Sequence, residues 1–126
     1  MSPSRLSAGL GLLAIAWSLS ARAQAPAAGD AAAGDEAFQI HCAVCHMAEG
    51  GGQGPSLVGV AGRKAGSAPG FDYSPALAAS KIIWTPPELD RYLTNPQQAV
   101  PGAAMPVAVD DAKTRANLIA YLETLK

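Results

Sequence analysis

The chain has 126 residues, with nine lysines and arginines against ten aspartates and glutamates. No long run of basic residues indicates nucleic-acid binding, and no long acidic run indicates a charged tail. A chain of this length is typical of one domain. A domain of about 100 residues buries only about two-thirds of its surface, so its core is limited.

The N-terminus is typical of a secretory signal peptide. Arg5 provides a positive charge, residues 6–19 are mostly apolar, and Ala21-Arg22-Ala23 is a small-x-small cleavage site. The apolar run is shorter than the about 20 residues that span a membrane, although an uncleaved anchor stays open as an alternative. We therefore expect export, removal of residues 1–23 by cleavage after Ala23, and a mature domain at residues 24–126.

A helix is predicted from residue 31 to about residue 43, after a flexible lead-in at residues 24–29. Asp30 is a favourable N-cap for it. Gly34 and Phe38 lie four residues apart on one face of this helix. Because glycine inside a helix costs up to about 1 kcal/mol relative to alanine, Gly34 indicates that another backbone approaches closely.

The sequence Cys42-Ala43-Val44-Cys45-His46 at the end of this helix has the pattern of a c-type haem attachment site. Residues three apart lie on one face of a helical turn, so both cysteines can reach the two vinyl groups of one porphyrin. His46 can then ligate the iron. Covalent attachment takes place outside the bacterial cytoplasm, so the motif agrees with export.

Two other interpretations of the cysteine pair are weaker. A redox dithiol would be accompanied by a thioredoxin-like βαβ pattern, and the sequence has none. A zinc site needs two further ligands, and His41 and His46 are the only histidines. His41 adjoins Cys42, so it is poorly placed to complete a tetrahedron.

Two short helices are predicted in the middle of the chain. Ser74 is a favourable N-cap and is followed by proline, which predicts a helix over residues 75–80. Thr85 and Glu88 have the spacing of a capping box. They predict a helix from residue 86 to residue 94, which ends before an Asn-Pro sequence.

The last predicted helix runs from residue 111 to about residue 125, with Asp110 as its cap. Glycine-rich stretches at residues 49–55 and 62–70 predict loops, and no stretch alternates as a strand does. Four apolar residues form a stripe at helical spacing on the last helix: Leu118, Tyr121, Leu122 and Leu125.

Met105 is the one methionine that could approach the haem from the side opposite His46. Met1 is removed with the signal, and Met47 adjoins His46 on the proximal side. A haem with two protein ligands carries electrons, whereas an open iron can bind small molecules. Two interpretations stay open at this point: Met105 is the second ligand, or it is a flexible core-filling side chain.

Residues 29–125 resemble the mitochondrial-type class I c-type cytochromes, including their soluble bacterial relatives. The most specific segment is residues 62–74, which reads Gly-Arg-Lys-Ala-Gly-Ser-Ala-Pro-Gly-Phe-Asp-Tyr-Ser. Further matching positions follow in the family's order: Trp84, residues 92–96, the Pro-Gly pair before Met105, and residues 118–122. The resemblance implies a small all-α fold of about four to five helices around a covalently bound haem, with crossing N- and C-terminal helices.

The resemblance also implies how the haem is held. Cys42 and Cys45 would carry the thioether bonds, and His46 and Met105 would be the axial ligands. Pro55 would accept the imidazole N–H through its carbonyl, which would orient the ring.

Five further residues would surround the haem according to the same resemblance. Leu57 would pack on the ring. Arg63, Tyr73 and Trp84 would solvate a propionate, since an unpaired buried charge is costly. Tyr92 would lie near the Met105 sulfur.

Several positions differ from the family members that carry lysines around the exposed haem edge. The family's aromatic residue two positions after the methionine is Val107, its threonine near the sulfur is Ala103, and an asparagine in a preceding helix is Leu77. The stretch before Met105 lacks lysine and holds Gln97, Gln98, Ala99 and Ala104. Signal removal would leave seven basic against ten acidic side chains. We therefore expect docking by apolar contact around Ala103, Ala104, Pro106 and Val107.

The expected function is one-electron transport in the periplasm by a monomer with one His/Met-ligated haem c. Its partners would be redox proteins that donate and accept electrons, with no role for nucleic acid. No side chain is expected to act as acid, base or nucleophile. Two alternatives stay open: a dedicated haem subunit of a dehydrogenase or reductase complex, and a peroxidase-like haem enzyme with an open iron.

Cleavage after Ala23 predicts that the periplasmic protein has the intact mass of residues 24–126 plus one haem. Because signal peptidases require small residues at the cleavage site, Ala23→Leu should block processing. Ala27→Leu, which lies beyond the site, should be processed normally. Recovery of a full-length, membrane-bound wild-type protein by mass spectrometry would contradict the prediction.

Overall fold

The computed structural model of the protein describes residues 28–47 and 50–126. These described residues form five helices: α1 (Ala31–His41), α2 (Pro75–Ala78), α3 (Pro86–Thr94), α4 (Pro96–Ala99) and α5 (Ala112–Leu122). The described residues contain no β-strand, only an isolated antiparallel bridge between Lys64 and Ile83. The small all-α fold is therefore confirmed. The signal peptide, its cleavage site and most of the lead-in lie outside the described residues and stay predictions.

Helices α1 and α5 cross at close range, as the resemblance implied. A Cβ built on Gly34 would clash with the Asn117 carbonyl oxygen and lie 2.8 Å from the Tyr121 Cβ. The rings of Phe38 and Tyr121 pack with their centroids 5.2 Å apart. Leu118 is 1% exposed at this crossing. Glycine at position 34 therefore permits the backbone contact that joins the two ends of the domain.

Local capping patterns correctly identified the start of two helices. The Asp30 carboxylate accepts hydrogen bonds from the backbone N–H groups of Ala32 and Ala33, and so caps α1. The Ser74 hydroxyl accepts from the Leu77 N–H and caps α2. These interactions depend only on neighbouring residues, which explains why the sequence was sufficient to predict them.

The predicted cap of the last helix was wrong by one residue. Asp111, rather than Asp110, accepts from the Thr114 N–H at 2.7 Å and precedes α5. The helix also ends at Leu122, earlier than the apolar stripe predicted. The Asp110 carbonyl accepts a hydrogen bond from Arg115 instead.

The predicted capping box at α3 is also absent, although α3 has the predicted ends. The Thr85 side chain makes no cap hydrogen bond. Its backbone N–H donates to the Ile83 carbonyl at 2.7 Å, so this N–H is not available to Glu88. Glu88 instead forms an ion pair with Arg91 at 2.6 Å.

Helix α4 was not predicted, and α1 ends at His41, two residues before the expected position. Asn95 both follows α3 and caps α4, because its side chain accepts from the Gln98 N–H at 3.0 Å.

No helix in the described part of the chain has the length and apolar character that a membrane crossing requires.

Gly34→Ala is predicted to destabilise the holoprotein by about 1–3 kcal/mol, because the added methyl group would overpack the helix crossing. Helix propensity alone predicts the opposite sign, a stabilisation of up to about 1 kcal/mol. Guanidinium unfolding measures the difference. Ala32→Gly, at an exposed position of α1, is the control and should lower stability only by the propensity difference. A more stable Gly34→Ala protein would contradict the observed close contact.

Candidate functional site

A large cavity of about 1280 Å³, counting its open mouth, lies between the helices and loops. Its wall is rich in leucine. All ten site residues predicted from the sequence line it: Cys42, Cys45, His46, Pro55, Leu57, Arg63, Tyr73, Trp84, Tyr92 and Met105.

The two cysteines lie on the turn that follows α1. The Cys42 carbonyl accepts from the N–H groups of Cys45 at 3.1 Å and His46 at 2.8 Å. This tight turn brings Cys42, Cys45 and His46 together in the lining of the cavity. The turn therefore has the arrangement that attachment of one haem requires.

The environment of Cys42 does not favour a redox dithiol. Burial raises the pKa of the Cys42 thiol to about 11, and the nearby Cys45 adds to the shift. Reactive dithiols have a lowered pKa, because the thiolate is the nucleophile. A structural zinc site takes four ligands, and the described residues contain no cluster of three or more His, Cys, Asp or Glu side chains placed to bind a metal ion.

The His46 ring is fixed by the backbone on two sides. Its Nδ1 lies 2.8 Å from the Pro55 carbonyl oxygen. Because a carbonyl only accepts, Nδ1 must carry the proton, and Nε2 keeps its lone pair for a metal. A Cβ on Gly54 would lie 2.5 Å from the ring carbon Cε1 and 2.6 Å from Nδ1. Gly54 is therefore needed for this contact. From the sequence alone, Gly54 is only one of several glycines in a predicted loop.

Arg63 carries an unsatisfied donor at the cavity. Its Nη1 and Nη2 donate to the carbonyls of Val58 and Ser56 at 2.9 and 3.1 Å. Its buried Nε has no hydrogen-bond partner among the described residues. Buried donors are normally paired, and a carboxylate is a strong partner for guanidinium. The haem propionate would provide that carboxylate, so the site fits the cofactor.

Backbone pairing places Arg63 and Trp84 side by side. The Trp84 N–H donates to the Arg63 carbonyl at 2.9 Å, and the Gly62 N–H donates to the Trp84 carbonyl at the same distance. The Tyr73 hydroxyl accepts from the Ala68 N–H at 3.1 Å. The proton of this hydroxyl is left to donate to a further acceptor.

Tyr92 packs beside Trp84 in the cavity wall, with ring centroids 4.9 Å apart. Burial raises the pKa of Tyr92 above its usual value. The phenol therefore stays protonated at neutral pH, so it can donate a hydrogen bond and does not bring a charge into the apolar wall.

Met105 is half-buried in the segment between α4 and α5, and it lines the same cavity as His46. The Gln97 amide donates to the carbonyl oxygens of Ala103 and Met105, the second at 3.2 Å. This role of Gln97 is not visible in the sequence, where the residue only stands in a stretch that lacks lysine. Its acceptors are backbone carbonyls, which have no signature in a sequence.

One expectation about the surface is wrong. Ala103 is only 5% exposed, so it cannot form part of an apolar docking surface. The Ala103 N–H donates to the Val100 carbonyl at 2.9 Å. The Ala103 side chain is part of the buried core. Ala104 and Pro106 are exposed, and Val107 is half-buried.

The chain belongs to the cytochrome c family, because the profile of the family described as "Cytochrome c" matches residues 31–126. The resemblance to mitochondrial-type class I c-type cytochromes is thereby confirmed. The protein is an electron-carrier cytochrome, and its cofactor is haem c, attached covalently through Cys42 and Cys45.

Individual relatives support this assignment over most of their length. The chain is 46% identical over 101 residues to "Cytochrome c2" of Rhodopila globiformis, which covers 78% of this chain and 95% of that protein. It is 42% identical over 115 residues to "Cytochrome c2" of Rhodomicrobium vannielii, which covers 88% of each. The solved structure of cytochrome cH from Methylobacterium extorquens matches with a TM-score of 0.73 and 44% identity, over 76% of this chain and 99% of that one.

Proposed function

We propose that this protein is a periplasmic one-electron carrier whose haem iron is ligated by His46 and Met105. The observation that carries the proposal is the fixed imidazole. The Pro55 carbonyl, 2.8 Å from Nδ1, leaves Nε2 as the free ligand atom in a cavity that Met105 also lines. Methionine paired with histidine raises the reduction potential of a haem.

The haem supplies an iron that cycles between the ferrous and ferric states. The side chains of this protein bind, orient and shield it. Leucines of α3 and α5 exclude water from the cavity, while Pro55 holds the His46 ring in one orientation. Arg63 and Tyr73 would solvate a propionate, through the unpaired Nε of Arg63 and the hydroxyl proton of Tyr73. We propose that no side chain acts as an acid, base or nucleophile, and that the protein is a carrier rather than an enzyme.

The periplasmic location is supported by the signal-like segment at residues 1–23. It is also supported by the haem itself, since covalent attachment takes place outside the bacterial cytoplasm. Such a carrier exchanges electrons with donor and acceptor proteins through a partly exposed haem edge, and we propose that it works as a monomer.

Met105→Ala should abolish the weak sulfur-to-iron charge-transfer absorption of the ferric protein and lower its reduction potential. It should also open the ferrous iron to carbon monoxide, because one axial position would lose its protein ligand. Absorption spectroscopy, redox titration and carbon monoxide binding measure these changes. Met47→Ala is the matched control. Met47 adjoins His46 but is 52% exposed, so its removal should change none of the three.

An unchanged spectrum in Met105→Ala would exclude Met105 as ligand. Ready binding of carbon monoxide by the wild-type ferrous protein would mean that the iron is open, and would favour the peroxidase-like alternative.

The docking surface is predicted to be mainly apolar. Ala104 and Pro106, on either side of Met105 in the sequence, are exposed, and Val107 is half-buried. Electron-transfer rates with the native partner should therefore fall only slightly between about 0.01 and 0.15 M salt, where the Debye length shortens from about 30 to 8 Å. Ala104→Lys should make this dependence steeper. A steep fall with salt in the wild type would contradict an apolar docking surface.

A further inference from the structure

The segment that carries Met105 has few hydrogen bonds of its own. It lies between α4 and α5 and forms no helix. Among the backbone hydrogen bonds of the described residues, two attach residues 103–109, one at each end: Ala103 N–H to the Val100 carbonyl at 2.9 Å, and Val109 N–H to the Leu93 carbonyl at 2.8 Å. Between these ends, Met105 depends on packing and on side-chain contacts for its position.

Gln97 supplies the hydrogen bonds in this gap. Its Nε2 donates to the Ala103 carbonyl and, at 3.2 Å, to the Met105 carbonyl. An amide nitrogen has two protons, so one group can hold both carbonyls. The two acceptors lie on either side of Ala104, and one belongs to Met105 itself.

The helix that carries Gln97 is itself well anchored. Asn95 caps α4, and Pro96 at its first position is buried. The Arg91 Nη1 of α3 donates to the Ala99 carbonyl at the end of α4, at 3.1 Å. Gln97 therefore connects the Met105 segment to a helix that is fixed at both ends.

We propose that Gln97 is the positioning residue that holds Met105 on the haem iron. The proposal rests on the ligation by Met105 proposed above. Gln97 does not contact the iron. Its amide keeps the Met105 backbone in place, so that the sulfur rebinds faster than an external ligand can occupy the position. Without this amide, the segment would open more often at unchanged global stability.

The test compares Gln97→Glu with Gln98→Glu in the holoprotein. Both substitutions add one negative charge to α4, and both positions are exposed. A carboxylate at position 97 cannot donate and would face two carbonyl oxygens. We expect carbon monoxide to bind the ferrous Gln97→Glu protein about ten-fold faster than the wild type. This factor corresponds to about 1.4 kcal/mol, within the range for two hydrogen bonds. The rate of carbon monoxide binding to Gln98→Glu should stay within about two-fold of the wild-type rate.

A second readout separates positioning from general stability. In Gln97→Glu, the sulfur-to-iron absorption of the ferric protein should disappear at a lower guanidinium concentration than in Gln98→Glu. The global unfolding midpoint from circular dichroism should be the same in both. Gln97→Ala removes the donors without adding charge and should behave as Gln97→Glu does, so the test does not depend on one variant. Gln97→Lys restores a donor. The guanidinium concentration at which its sulfur-to-iron absorption disappears should therefore lie between those of Gln97→Ala and the wild type.

The outcomes distinguish this inference from the proposed function. If wild-type ferrous protein binds carbon monoxide readily, ligation by Met105 fails, and the role of Gln97 fails with it. If the wild-type ferrous iron does not bind carbon monoxide readily and the Met105→Ala iron does, ligation by Met105 is supported. Equal binding rates in Gln97→Glu, Gln97→Ala and Gln98→Glu would then overturn the role of Gln97 alone.

Discussion

The structure depends on one constraint, which is that a small domain must build its core around a cofactor. Trp84, Leu89 and Leu118 belong to the buried core, and each also lines the cavity. The core and the haem site therefore share the same walls. Because protein interiors are close-packed, the haem contributes packing contacts as well as redox chemistry. The close crossing of α1 and α5 at Gly34 matters for the same reason, since it holds together two elements that line this site.

An apolar cavity imposes a second requirement, because the haem also has polar parts. A charged propionate cannot be buried without partners, and an imidazole that rotates freely would be a poor ligand. The protein meets both needs with fixed donors and acceptors. The Pro55 carbonyl holds His46 at Nδ1, and Arg63 keeps a buried Nε unpaired at the cavity. A buried donor without a partner lowers the stability of the folded protein. With a carboxylate beside it, the same nitrogen becomes a binding group.

The sequence predicted those features that depend on neighbouring residues or on strict spacing. The attachment motif and the cap at Asp30 are of this kind. The prediction from sequence failed where two neighbouring residues were equally suitable for the same role. Asp110 and Asp111 can both cap a helix, and the choice of Asp111 depends on which carboxylate meets the Thr114 N–H. The capping box failed at Thr85 because a local turn uses its N–H, which donates to the Ile83 carbonyl two residues earlier. The burial of Ala103 likewise depends on how its segment folds back on α4, which residue type alone does not determine.

The irregular segments around the haem site are held by side-chain donors that reach backbone carbonyls. Arg63 holds the loop after Pro55, Arg115 holds the end of the Met105 segment, and Gln97 holds its middle. Since every residue has a carbonyl, no sequence pattern identifies these acceptors. Glutamine at position 97 therefore has two separate consequences. It removes a positive charge that would otherwise influence partner recognition, and it keeps a hydrogen-bond donor at the same place. The electrostatics of docking can change in this way while the Met105 segment stays anchored.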